Sequence, residues 1–285
     1  RRYFIQGGVP MLIKLIKYDL RSLNRFLIIL HGFLLLMTIF LRIFITGQIH
    51  LSTDTGGFLF GLAIVMYTLL ITGITFGTSI VIVVRFYRNL FSDEGYLSQT
   101  LPVTPGQHLL AKTISGSIWA MIDYVFILAS LYIGIATPAF MELFYENQGE
   151  LMKELGFTGK YADVTAGQII LVLLISGFIG CVGNIVMYYA SIVLGQLFSS
   201  HRVIGAIACY FALSTLMAVI SFIVMFAADL AYGNFAIVPA GTESSLSLVE
   251  YMVRILTFSL ALSVITAVVL YIPSYILMKK KLDLN

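Results

Sequence analysis

Six apolar stretches follow one another along this chain, at 26–45, 58–84, 113–137, 169–194, 203–228 and 255–278. Each meets the roughly 20 residues that a hydrocarbon core about 30 Å thick demands of a helix. Lipid offers no hydrogen bonds to a backbone, so spans of this kind are helical, and the expected fold class is all-α: a polytopic membrane protein with six transmembrane helices. The pattern changes ahead of the first span. At 100° per residue Leu12, Ile16, Leu20 and Leu23 share an arc of about 80°, with Lys14, Lys17, Arg21 and Asn24 opposite them. That periodicity predicts an amphipathic helix over 11–24, lying in the headgroup layer with Lys14, Lys17 and Arg21 toward the polar side. Asp19 is the misfit, because it falls beside Leu12 on the apolar arc and needs a basic or hydrogen-bonding partner there. The sequence does not name one.

Composition narrows the class further. With 59% hydrophobic and 11% charged residues, and a mean hydropathy of +0.97, the chain has far more apolar surface than a soluble core of 285 residues can bury. The connections are short, so 11–285 is read as a single membrane domain. Cys181 and Cys209 both fall within spans and no Cys-x-x-Cys pair exists, which suggests neither a disulfide framework nor a metal site. No nucleic-acid partner is expected.

Lys and Arg near span ends stay preferentially on the cytoplasmic side. With both termini inside, all of the 17 basic residues except Arg42, Lys153, Lys160 and Arg254 lie on that side. Both termini are therefore expected in the cytoplasm, and the protein in a cell membrane. Residues 1–10 are expected to be an upstream extension. Gln6-Gly7-Gly8 can be encoded by CAA-GGA-GGT, a bacterial ribosome-binding sequence, and Met11 follows at about the usual spacing.

The connection at 85–105 carries the most specific signal. Phe86 with Leu90, and Tyr87 with Phe91, are i,i+4 pairs. Gly95 reads as a helix stop, and Thr104-Pro105 as an N-cap followed by proline in the first turn. The expectation is a short helix over 85–94 that leaves the membrane and returns. Its side chains Arg85, Phe86, Tyr87, Arg88, Leu90, Phe91, Asp93 and Glu94 are candidates for a docking surface.

The run Asn89-Leu-Phe-Ser-Asp-Glu-Gly-Tyr-Leu-Ser-Gln-Thr-Leu-Pro102, followed by Leu109, Leu110, Ala111 and Lys112, resembles the permease subunits of ABC-2 type ABC transporters, the small bacterial six-span kind. The layout of amphipathic helix, six spans and cytoplasmic termini is similar as well. The resemblance implies that the amphipathic helix and 85–105 contact a separate ABC ATPase subunit. It implies a working unit of two permeases, identical or paralogous, and two ATPases, with ATP and magnesium on the ATPase and no cofactor in this chain. It implies export, with an amphiphilic peptide, drug or lipid as cargo, across the bacterial cytoplasmic membrane. The chain itself has no phosphate loop: Gly156-Phe-Thr-Gly159-Lys160 lacks the required spacing.

Asp123 is the only carboxylate deep within a span, and an intramembrane ionisable group is a functional candidate by default. It suits an alternative reading as the proton site of a secondary carrier. Trp119, Tyr124, Thr72, Thr75 and Asn184 are the neighbours that would satisfy it in a structural role. An aspartyl protease needs a second carboxylate, and none is available. A serine hydrolase needs a base near its nucleophile, and His31 falls toward a span end. Small residues at Gly57, Gly61, Gly73 and Gly77 in span two, and at Gly177, Gly180 and Gly183 in span four, predict close helix contacts. Outside, 139–147 and 149–155 have helical patterning, with Glu142, Glu146, Glu150 and Glu154 on one stripe if the helix is continuous. Ser247 and Glu250 read as a capping box ahead of span six.

Overall fold

The computed structural model describes residues 8–46, 54–95, 100–198, 200–232 and 248–282. Among them there is no strand; seven α-helices and one 3-10 turn are bounded within them, and 93–95 are helical as well. The helices are α1 Gly8–Thr46, α2 Asp54–Phe91, α3 Pro105–Ile135, α4 Pro138–Glu154, α5 Ala166–Gly195, α6 Arg202–Tyr232 and α7 Leu248–Leu282. Helices α2, α3, α5, α6 and α7 are each long and apolar enough to cross a membrane. The sixth candidate is α1, whose segments Met11–Asn24 and Leu27–Ile43 are bent by 50° relative to one another. The bend falls where the amphipathic pattern gives way to the apolar run. At 1.5 Å per residue, the 31 residues of α3 reach about 46 Å, so the helices run past the hydrocarbon at their ends. The protein is thus an all-helical, multi-pass membrane protein.

The chain divides into two compact units, Arg1–Glu146 and Asn147–Asn285, each described by itself. In the first, α1 packs chiefly along α3 and less extensively on α2. Leu23, Leu27, Leu34 and Leu41 form the buried stripe of α1, at spacings of four and seven that keep one helix face inward. Leu109, Ala111 and Trp119 of α3 and Ile74, Ile82, Phe86 and Leu90 of α2 complete this core. Arg42 caps the C-terminal end of α3, donating to the carbonyls of Ile133 at 2.6 Å and Ala136 at 2.9 Å. Those carbonyls have no partner within their helix, and a cation suits the negative end of its dipole.

In the second unit α5 is the central helix, packed against both α6 and α7. It begins with a capping box in which Thr165 and Gln168 exchange side chain and backbone hydrogen bonds. Thr104 and Gln107 do the same for α3, one element beyond the Thr104-Pro105 signal, with Pro105 in the first turn. The Ser247 half of the expected box before α7 lies outside the described residues. Pro273 sits inside α7, which continues through it, and Ser274 donates to the Leu270 carbonyl at 2.7 Å. Helix α4 is continuous through Gly149, so Glu142, Glu146, Glu150 and Glu154 form one exposed acidic stripe.

Two sequence expectations need correction. Span two does not end before a separate short helix, because α2 continues unbroken through 85–91. Only at Ser92 does the ladder break, with Gly95 N–H bonding to the Ser92 carbonyl at 2.7 Å. Gly95 acts through space rather than through a left-handed turn: a Cβ there would lie 2.8 Å from the backbone of Leu90. The second correction concerns the small residues of span two. Gly77 approaches only the flexible end of Leu30, and a Cβ on Gly61 or Gly73 would meet nothing within 4 Å.

In α5 a Cβ on Gly180 likewise would meet nothing within 4 Å, whereas Gly183 and Gly195 are closely approached. A Cβ on Gly183 would come within 2.5 Å of the Ser263 hydroxyl on α7, and one on Gly195 within 2.5 Å of the Ala206 backbone on α6. A side-chain hydroxyl can rotate away, whereas backbone cannot. Gly195→Ala is therefore expected to cost about 1–3 kcal/mol through overpacking. Gly61→Ala is expected to be neutral or slightly stabilising, since it adds helix propensity in open space. Thermal unfolding of the two variants in the same detergent checks the contrast; equal midpoints would contradict it.

Candidate functional site

Two clusters of buried polar groups stand out in the first unit, and both resolve a misfit in the sequence. The first lies at the end of the bundle where α2 stops and α3 begins. Asp19 on the apolar face of α1 forms an ion pair with Lys112 of α3, with side chains only 12% and 9% exposed. Lys112 also meets α2. With the Asn89 amide oriented to satisfy its neighbours, its oxygen accepts from Lys112 Nζ at 2.8 Å and its nitrogen donates to Glu94 Oε2 at 3.0 Å. Arg88 then donates to Glu94 Oε1 at 2.6 Å. The network runs from the amphipathic part of α1, through α3, to the end of α2, and from buried to exposed, Arg88 being 58% exposed.

The candidate docking residues separate into two faces. Phe86 and Leu90 are 1% and 3% exposed, so they are packing residues of the bundle and present nothing to a partner. Periodicity put them on one stripe correctly but could not say which side of the stripe was covered. Arg85, Tyr87 and Phe91 are half-buried, with the Phe91 ring 5.9 Å from Phe86 and 6.5 Å from Tyr87. Arg88 and Asp93 are exposed, and Glu94 is half-buried beside Arg88. Lys14, Lys17 and Arg21 are all exposed on α1, opposite buried Asp19 and Leu23. The accessible surface at this end is thus polar, mixed in charge, and fixed to the bundle by the Asp19–Lys112–Asn89 contacts.

The second cluster is within the spans. Asp123 is 5% exposed, and its partner is His31 of α1, Nε2 to Oδ1 3.2 Å. Trp119, Thr72 and Thr75, expected to satisfy this carboxylate, bond elsewhere. Thr72 and Thr75 bond to carbonyls of their own helix, and Trp119 donates to the Leu20 carbonyl at 3.4 Å. His31 was set aside in the sequence for its nearness to a span end. Its helix bends just before it, however, and α1 crosses against the middle of α3. His31 Nδ1 sits 2.7 Å from the Leu27 carbonyl, and the Phe126 ring meets the imidazole edge-on with centroids 4.9 Å apart. Both ring nitrogens thus face groups other than a hydroxyl, and no serine nucleophile is aligned with this histidine among the described residues.

The remaining sequence motifs have structural explanations. Gly156 takes φ 88 and ends α4, with Gly156 N–H bonding to Lys153 and Phe157 N–H to Met152, the two bonds of a helix stop that favours glycine. The Gly156 to Lys160 run is therefore a helix terminator. Lys160 instead pairs with Glu250 at 2.9 Å, a hydrogen bond that holds its ammonium above its usual range, and Arg254 joins the same carboxylate at 3.2 Å. Among the described residues no group of three or more His, Cys, Asp and Glu is placed to hold a metal ion. Comparison of the chain with protein-family models, with curated proteins and with solved structures finds no match.

Proposed function

We propose that this chain is the membrane-spanning permease subunit of an ATP-driven ABC transporter of the ABC-2 type, coupled to a separate ATPase and exporting an amphiphilic substrate. The observation that carries the reading is the network joining Asp19, Lys112, Asn89, Glu94 and Arg88. It ties the amphipathic part of α1 to the end of α2, the two segments that the resemblance assigns to ATPase contact, so a push on either is delivered to α1, α2 and α3 together. The docking surface is the exposed rim: Arg88 and Asp93 at the end of α2, with Lys14, Lys17 and Arg21 of α1. Two permeases, identical or paralogous, and two ATPases form the working unit in the bacterial cytoplasmic membrane.

A second reading, a proton-coupled carrier, draws support from His31 beside Asp123. Purification of the tagged chain from its source membranes in mild detergent, followed by an ATPase assay and vesicle transport, separates the two. The ABC reading expects an ATPase to remain bound and transport to require ATP. A chain that retains no ATPase, yet moves an amphiphile on an imposed proton gradient, would replace it with the carrier.

A further inference from the structure

We propose that a proton lies between His31 and Asp123, making the pair a one-proton site in the interior of the first unit. The argument starts from the other ring nitrogen. A backbone carbonyl only accepts, and the Leu27 oxygen is 2.7 Å from Nδ1, so Nδ1 carries a hydrogen and donates it. A neutral imidazole has one N–H, and that one is spent. Nε2 is then a bare lone pair, and it stands 3.2 Å from Asp123 Oδ1. An ionised carboxylate is also acceptor-only, so without a further proton two acceptors would confront each other in a buried, apolar place. One proton removes the conflict in either position. On Nε2 it makes an imidazolium facing a carboxylate; on the carboxyl it makes an acid donating to a neutral ring. Both arrangements carry no net charge, which is the state that low-dielectric surroundings favour.

The charged groups of the same three helices are engaged elsewhere or stand apart from the pair. Nε2 and Oδ1 approach to 3.2 Å without hydrogen-bond alignment, and neither atom has a hydrogen-bond partner. On α1, Asp19 is engaged with Lys112 and Arg42 with the end of α3. On α2, the Tyr67 hydroxyl is 2.6 Å from Ser130, and Arg85 stands near the opposite end of the helix from Tyr67. On α3, Lys112 is 11 residues, or about 16 Å of helix, from Asp123, and His108 is farther still, while Tyr124 adjoins Asp123 in sequence. Phe126 and Trp119 border the imidazole, with ring centroids 4.9 and 6.4 Å away.

Because the pair joins α1 to α3, the proton can leave to water only where those helices part, and its loss leaves one uncompensated negative charge inside the bundle. A conformational cycle that separates α1 from α3 therefore carries a proton count, whether ATP or a gradient drives it. The site is independent of the ABC reading: loss of either leaves the other standing.

The test is nuclear magnetic resonance of the full chain in lipid nanodiscs at neutral pH, with nitrogen-labelled histidine and carboxyl-labelled aspartate. His31 is identified by its through-space contact with Phe126, so no variant is needed for assignment. The expected result is a protonated Nδ1 together with one further proton, seen as a second imidazole N–H or as an un-ionised Asp123 carboxyl. A bare Nε2 alongside an ionised Asp123, or a ring protonated at Nε2 alone, would overturn the proposal. In Asp123→Asn the imidazole is expected to be neutral with its Nδ1 hydrogen kept, whichever partner holds the proton in the parent chain. An imidazolium that persists in that variant would overturn it as well.

Discussion

Replacing Lys112 with Met is expected to destabilise the first unit by about 3–5 kcal/mol, because it leaves the Asp19 carboxylate buried with no cation. The pair itself is not the source of that number. Desolvation of two charges cancels much of their attraction, so removal of both is far milder than removal of one. Asp19→Asn combined with Lys112→Met should therefore recover most of the lost stability, and this non-additivity is the diagnostic outcome. Thermal unfolding of the two single variants and the double variant in one detergent measures it. Strictly additive losses would show that the two side chains do not interact in the folded protein. The same comparison bears on coupling, since Lys112 is the only member of the network recorded in contact with both α1 and α2 partners.

The second large effect separates packing from docking at the end of α2. Phe86→Ala is expected to cost about 3–5 kcal/mol and Leu90→Ala about 2–5 kcal/mol, as each opens a cavity at a site that is almost wholly buried. Both variants should unfold at lower temperature whether or not an ATPase is present. Arg88→Glu should behave in the opposite way. Its pair with Glu94 is exposed, of a kind worth about 0–1 kcal/mol, so the folded chain should be nearly unaffected. Binding of the ATPase should weaken, most at low salt where charge contacts are least screened. Unfolding midpoints and co-purification yields, read side by side, test this division. An Arg88→Glu chain that loses stability but keeps its ATPase, with Phe86→Ala doing the reverse, would invert the assignment of faces.

Hydropathy made the spans legible, since a run of 20 apolar residues has no other use in a chain of this composition, and α3 begins at the Thr104-Pro105 signal read in the sequence. The two ionisable misfits, Asp19 and Asp123, were legible for the same reason. Their partners were not. Lys112 follows Asp19 by 93 residues and looks in sequence like one more basic residue at a span end, and His31 is similarly remote from Asp123. Periodicity within one helix says which residues share a face, and only a neighbouring helix says whether that face is covered. That is why Phe86 and Leu90 read as exposed anchors while the structure packs them inside, and why Gly61 and Gly73 read as contact points yet meet nothing.

Arg42 gives the order in which the first unit can be completed. Its two acceptors, on Ile133 and Ala136, belong to a helix that emerges from the ribosome some ninety residues after Arg42 itself. Until α3 is threaded across, that guanidinium stands at its end of the span with its carbonyl partners not yet made. A nascent chain released after α2 would hold α1 in place by hydrophobicity alone, and arrival of α3 would lock it. The two carbonyls that receive Arg42 thus arrive with the last of the three helices.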